Sequence, residues 1–86
     1  MKDLQSLRAE IDQLDEQLWD IIGKRVDVAR EIGEWKRIHG EQILQPERWQ
    51  QVVEHCLAQG KQHGLSEKVV QEVMETIHKE SVRIQS

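Results

Sequence analysis

From Asp3 to Arg37 the chain carries one helical pattern so long that it limits everything else the chain can do. Leu4, Leu7, Ile11, Leu14, Leu18, Ile21, Val28, Ile32 and Trp35 fall on a single stripe of an α-helix. Pro46 is the only proline, so no breaker interrupts that stripe. At 1.5 Å per residue the helix spans roughly 50 Å, whereas a compact monomer of this size is only about 30 Å across. The remaining residues, as two shorter helices, cannot cover so long an apolar face. A soluble monomer rarely tolerates the patch left over. The pattern therefore predicts an intertwined two-fold homodimer in which two long helices pack along each other.

One column of that stripe, Leu4, Ile11, Leu18, Arg25, Ile32, has an arginine where a leucine is due. A second column along its edge, Arg8, Asp15, Ile22, Ala29, Lys36, has a cation at each end. Arginine on a buried stripe costs several kcal/mol unless an anion accompanies it. Two readings stand at this point: an internal ion pair with a carboxylate such as Asp15, or a site for an external anion. Within one helix Arg8 and Arg25 lie about 25 Å apart, too far to share a small ligand. In an antiparallel dimer Arg8 of one chain could meet Arg25 and Lys36 of the other.

Asp3 is the expected N-cap of the first helix and Gly40 its left-handed C-terminal residue. Pro46 suits the first position of a second helix, which carries Trp49, Val52, Val53, Cys56 and Leu57 and is expected to end at Gly60. Ser66 caps a third helix whose stripe runs Val70, Met74, Ile77, Ser81, Ile84, with Ser81 the odd member. One all-α domain over residues 1–86 follows, with helices at about 3–38, 46–60 and 66–85. Phe and Tyr are absent, so the expected core is aliphatic with Trp19, Trp35 and Trp49 as its aromatics. Gly33 lies beside the long stripe, either for close approach of another backbone or as a surface glycine.

The net charge of -4 and the lack of basic runs argue against nucleic acid and anionic membranes as partners. No apolar run approaches membrane-spanning length and no signal peptide is read at Met1-Lys2-Asp3, so a cytoplasmic protein is expected. Cys56 is single, and with His39, His55, His63 and His78 it shows no metal-ligand spacing. His55 and Cys56 point different ways on a helix, and no nucleophile motif or phosphate loop is present. What remains are cations and hydrogen-bond donors. Arg48 falls at the start of helix two, where free N–H groups favour an anion, or is an exposed surface residue. Ser81 and Gln85 are one turn apart, either donors facing a pocket or the polar end of a helix. Such a set, without an obvious base or nucleophile, can still catalyse by holding an anion in a reactive conformer and stabilising developing charge.

Leu7-Arg8-Ala9-Glu10-Ile11, Leu14-Asp15-Glu16, Lys24-Arg25, Glu31-Ile32-Gly33 with Lys36, Arg48, and Glu80-Ser81 with Gln85 together resemble the all-helical (AroQ-type) chorismate mutases. The stretches Ile43–Trp49 and Ile77–Ser81 look most like the variety fused to DAHP synthase, which implies a domain of such an enzyme or one that docks on it. The resemblance implies an intertwined dimer of three-helix subunits that rearranges chorismate to prephenate, with no cofactor. It implies that Arg25, and Arg8 from the partner subunit, grip the substrate carboxylates, with Ser81 assisting. Lys36 and Gln85 would donate to the ether oxygen, and Arg48 would shape the polar wall. Relatives carry acidic residues for the substrate hydroxyl where this chain has Gln45 and Trp49. Gln45 can still bond a hydroxyl, whereas Trp49 cannot stand in for a carboxylate and is expected toward the core. Gln85 is the penultimate residue, where helix ends fray, so weak activity is expected of the isolated chain, with docking to a fused domain ordering this end. Two alternatives share the pattern: an isochorismate pyruvate lyase, and a non-catalytic helical dimerisation or ligand-sensing domain with Arg25 in an internal ion pair.

Overall fold

A computed structural model describes residues 1–86 as three α-helices with no strand. Helix α1 is Leu4–His39, α2 is Pro46–Gln62 and α3 is Glu67–Gln85. The Asp3 carboxylate accepts the Ser6 N–H at 2.8 Å, which fixes the start of α1. Gly40 ends it with φ 69°, a left-handed conformation that costs glycine little, and its N–H returns to the Lys36 carbonyl. Pro46 opens α2, and the Ser66 hydroxyl accepts the Val69 N–H at 3.2 Å to start α3.

The second helix does not stop at Gly60 as the sequence suggested. It runs on to Gln62, and Gly60 lies buried inside it. A Cβ at Gly60 would come within 2.3 Å of Val70 Cγ2, so this glycine is there for the contact between α2 and α3. The chain reverses instead at Gly64, with φ 73°.

α3 packs against both other helices, while the backbones of α1 and α2 do not meet. The chain is elongated, 56 × 23 × 15 Å, because α3 is much shorter than α1 and covers only its C-terminal half. Ala29 and Gly33 of α1 are buried there. Along the N-terminal half, Ile11, Leu14, Leu18 and Ile21 each leave half or more of their surface exposed. Trp19 is also exposed, so it is not a core residue of the single chain. No helix is long and apolar enough to cross a membrane.

Candidate active site

Because α1 and α2 stand apart on a common floor of α3, a cleft opens between them. Its volume is about 450 Å³. α1 contributes Arg25, Ala29, Ile32 and Lys36, α2 contributes Arg48, Trp49 and Val52, and α3 contributes His78, Ser81 and Gln85. Ile43 and Gln45 close it from the loop. Spacings of four and seven along α1 and α3 explain the convergence, since they return side chains to one helical face.

The Arg25 guanidinium donates through Nη1 to Ser81 Oγ at 2.8 Å, and Ser81 is buried. The expected carboxylate partner is absent: no acidic group lies within ion-pair distance of Arg25, and Asp15 is exposed on the bare half of α1. Asp15 stands about 15 Å away along the same helix, beyond reach. Lys36 Nζ donates to the Ile43 carbonyl at 2.9 Å and to Gln85 Oε1 at 2.7 Å. Two of the misfit cations of α1, Arg25 and Lys36, are thus paired with the two uncharged misfits of α3.

Ion pairing sorts the chain's cations. Lys2, Lys24, Arg30, Arg37, Lys68 and Arg83 each have a carboxylate partner on the exposed surface. Arg8, Arg25, Lys36, Arg48, Lys61 and Lys79 have none. Arg25, Lys36 and Arg48 line the cleft, while Arg8, Lys61 and Lys79 are exposed, Arg8 on the uncovered half of α1.

Gln85 is the last residue of α3, yet it is seated. Gly33 lies directly beneath it, so close that an added Cβ would be 2.9 Å from Gln85 Cα. The close-approach reading of Gly33 is therefore the right one. Gln45 precedes α2, where its Nε2 donates to the Gln42 carbonyl at 3.3 Å.

Trp49 departs from expectation: it lines the cleft and stacks on His78, ring centroids 4.0 Å apart at 16°. His78 is a site residue that sequence reasoning passed over, having weighed the histidines only as metal ligands. Its position, three before Ser81 and seven before Gln85, was the available signal. Partial burial, and then the positive charges of Arg25 and Lys36, hold its pKa below the ordinary imidazole value.

The cleft gathers cations without carboxylate partners and oriented donors on an aromatic and aliphatic lining, the chemistry that an anion calls for. The whole stretch 7–86 matches the family model of type II chorismate mutases. Relatives named 4-amino-4-deoxychorismate mutase, from Streptomyces pristinaespiralis and Streptomyces venezuelae, are 33% and 34% identical over 95% and 96% of this chain. The T-protein of Haemophilus influenzae is 31% identical over 94% of it. The chain spans 64%, 81% and 22% of those three proteins' lengths. It belongs to the type II chorismate mutase family.

Proposed function

We propose that the cleft binds chorismate and carries out its rearrangement to prephenate. The observation that carries this reading is the pair of part-buried cations, Arg25 and Lys36, bound to Ser81 and Gln85 and to no carboxylate. Chorismate is a dicarboxylate with an enolpyruvyl ether and a ring hydroxyl. Its rearrangement breaks one C–O bond as one C–C bond forms, so no atom or proton enters or leaves. The protein need only hold the compact reactive conformer and stabilise the negative charge growing on the ether oxygen.

The hydrogen-bond inventory suits that task. Arg25 spends one N–H on Ser81 and keeps the rest of its guanidinium fork for a carboxylate. Lys36 spends two ammonium protons on Ile43 and Gln85 and keeps a third. Gln85 accepts from Lys36 through its carbonyl, which leaves its NH₂ group free. The spare Lys36 proton and the Gln85 amide converge on the ether oxygen, and neither needs to reorganise as charge develops. Arg48 shapes the opposite wall, and Gln45 bonds the ring hydroxyl.

In the working form two chains pair through the bare half of α1, and Arg8 of the partner subunit grips the second carboxylate. The exposed row Ile11, Leu14, Leu18 and Ile21 supports that pairing, as does an arginine at Arg8 without an acidic partner. The likeness of Ile43–Trp49 and Ile77–Ser81 to the synthase-fused variety supports a domain over residues 1–86 fused to or docked on a DAHP synthase domain, and we take the cytoplasm as its compartment.

Loss of chorismate absorbance with purified protein tests the reading. Arg25→Ala and Lys36→Ala should each lower kcat/KM about a hundredfold or more. A wild-type protein that leaves chorismate untouched, even with a synthase domain restored, refutes it.

A further inference from the structure

We propose that the wall formed by Gln45, Arg48, Trp49 and His78 decides which substituent the substrate ring can carry, admitting a neutral hydroxyl and rejecting an ammonium. This rests on the chorismate reading above and refines it. The named relatives leave the matter open, because two of them are called mutases of 4-amino-4-deoxychorismate, in which an amino group replaces the ring hydroxyl.

Arg25 and Lys36 are oriented by Ser81, Gln85 and Ile43 and keep their spare donors for a carboxylate and the ether oxygen, so the α1 side of the cleft faces the electron-rich parts of the substrate. The polar groups left over are Gln45, Arg48, the Trp49 indole N–H and His78, on the loop, α2 and the adjoining edge of α3. None of them is acidic. No Asp or Glu lines any part of the cleft, so an ammonium meets no carboxylate of this chain wherever it falls. It meets instead Arg25 and Lys36 from α1 and Arg48 from α2. The nearby acid on α3, Glu80, is engaged by Arg83.

The imidazole of His78 reports the field at this wall. It is stacked on Trp49, and partial burial first, then the charges of Arg25 and Lys36, disfavour its protonation. A positive charge brought to the same place on a ligand is disfavoured for the same reason. A hydroxyl carries no such penalty, and it can donate to the unprotonated imidazole nitrogen or accept from Gln45. Discrimination by an unpaired charge set against the wrong partner is a general route to specificity.

The test compares chorismate with 4-amino-4-deoxychorismate on the wild-type chain near pH 7. The expected result is a kcat/KM about a hundredfold or more in favour of chorismate. The gap should narrow toward pH 9 as the amine sheds its proton, at about the pKa of an α-amino group. His78→Glu, which sets one carboxylate in the wall, should move the ratio at least about tenfold toward the amino substrate. His78→Gln should keep the wild-type preference. If circular dichroism shows His78→Glu unfolded, Gln45→Glu makes the same change at an exposed position. Turnover of both substrates within a factor of about three overturns the proposal, as does a ratio unmoved by an added carboxylate. Turnover of neither by a folded wild-type protein, even with a synthase domain restored, overturns the chorismate reading beneath it.

Discussion

Replacing Gly33 with alanine separates catalysis from stability more cleanly than removing a cation does. The added Cβ would sit 2.9 Å from Gln85 Cα and 3.0 Å from both Gln85 Cβ and Cγ. Two of those atoms cannot rotate away, so the last turn of α3 must lift by several tenths of an ångström or more. The Lys36–Gln85 bond, now 2.7 Å, is the first casualty, because Lys36 is also held at Ile43. Overpacking of this kind costs about 1–3 kcal/mol, and glycine to alanine within a helix returns about 1 kcal/mol. Net destabilisation should therefore be modest, about 0–2 kcal/mol. Turnover should suffer far more, since misplacing a donor to the developing oxyanion costs about 3 kcal/mol, a hundredfold or more. The natural control is Gly23→Ala, also in α1, where an added Cβ meets nothing within 4 Å. That variant should gain up to about 1 kcal/mol in stability and keep its turnover. Thermal melts followed by circular dichroism, beside steady-state chorismate turnover, give both quantities. Gly33→Ala with wild-type kcat would show that the seat of Gln85 does not matter. A loss of turnover matched by wholesale unfolding would show that Gly33 serves packing alone.

Two further outcomes follow. Arg8→Ala and Arg25→Ala should each be nearly inactive, yet mixing them after mild unfolding should restore about a quarter of wild-type activity, because half the chains form heterodimers with one intact site. No recovery on mixing would place Arg8 outside the partner's cleft. His78 has a lowered pKa in the folded chain, so below about pH 6.5 the unfolded chain takes up its proton first. Its contribution to stability is complete above that pH, declines as pH falls through it, and levels off below the depressed folded value. Wild type minus His78→Gln in Tm between about pH 7.5 and about pH 5 isolates the effect, and parallel curves would refute it.

Much of the architecture was written locally, and the departures are where two helices meet. Asp3, Gly40, Pro46 and Ser66 act on backbone groups within a few residues, so the sequence alone places them. Gly60 deceived because a glycine can serve either a helix end or a close contact, and only the approach of Val70 tells which. Arg25 and Ser81 were legible as misfits in apolar stripes. Their mutual bond was not, since it depends on how α3 lies along α1. His78 falls off the apolar stripe of α3, and its role exists only because α2 brings Trp49 face to face with it.

The same length that leaves α1 half bare also explains why its cations are tolerable. A cation taken from water into a cleft without a carboxylate loses solvation that Ser81 and Gln85, as neutral partners, restore only in part. Within a single compact domain an acidic neighbour would be the cheaper solution, and six of the chain's other cations have one. Arg25 and Lys36 differ in being held by dipoles that orient them without cancelling their charge. Their positive potential is then available to whatever anion enters. Burial of the bare α1 stripe against a second chain would shield the cleft from water and raise that potential further, because charge interactions strengthen as the surroundings become less polar. In the proposed dimer association and anion binding would be coupled: a dianion bridging Arg25 and the partner subunit's Arg8 would favour the paired state, and pairing would sharpen the site.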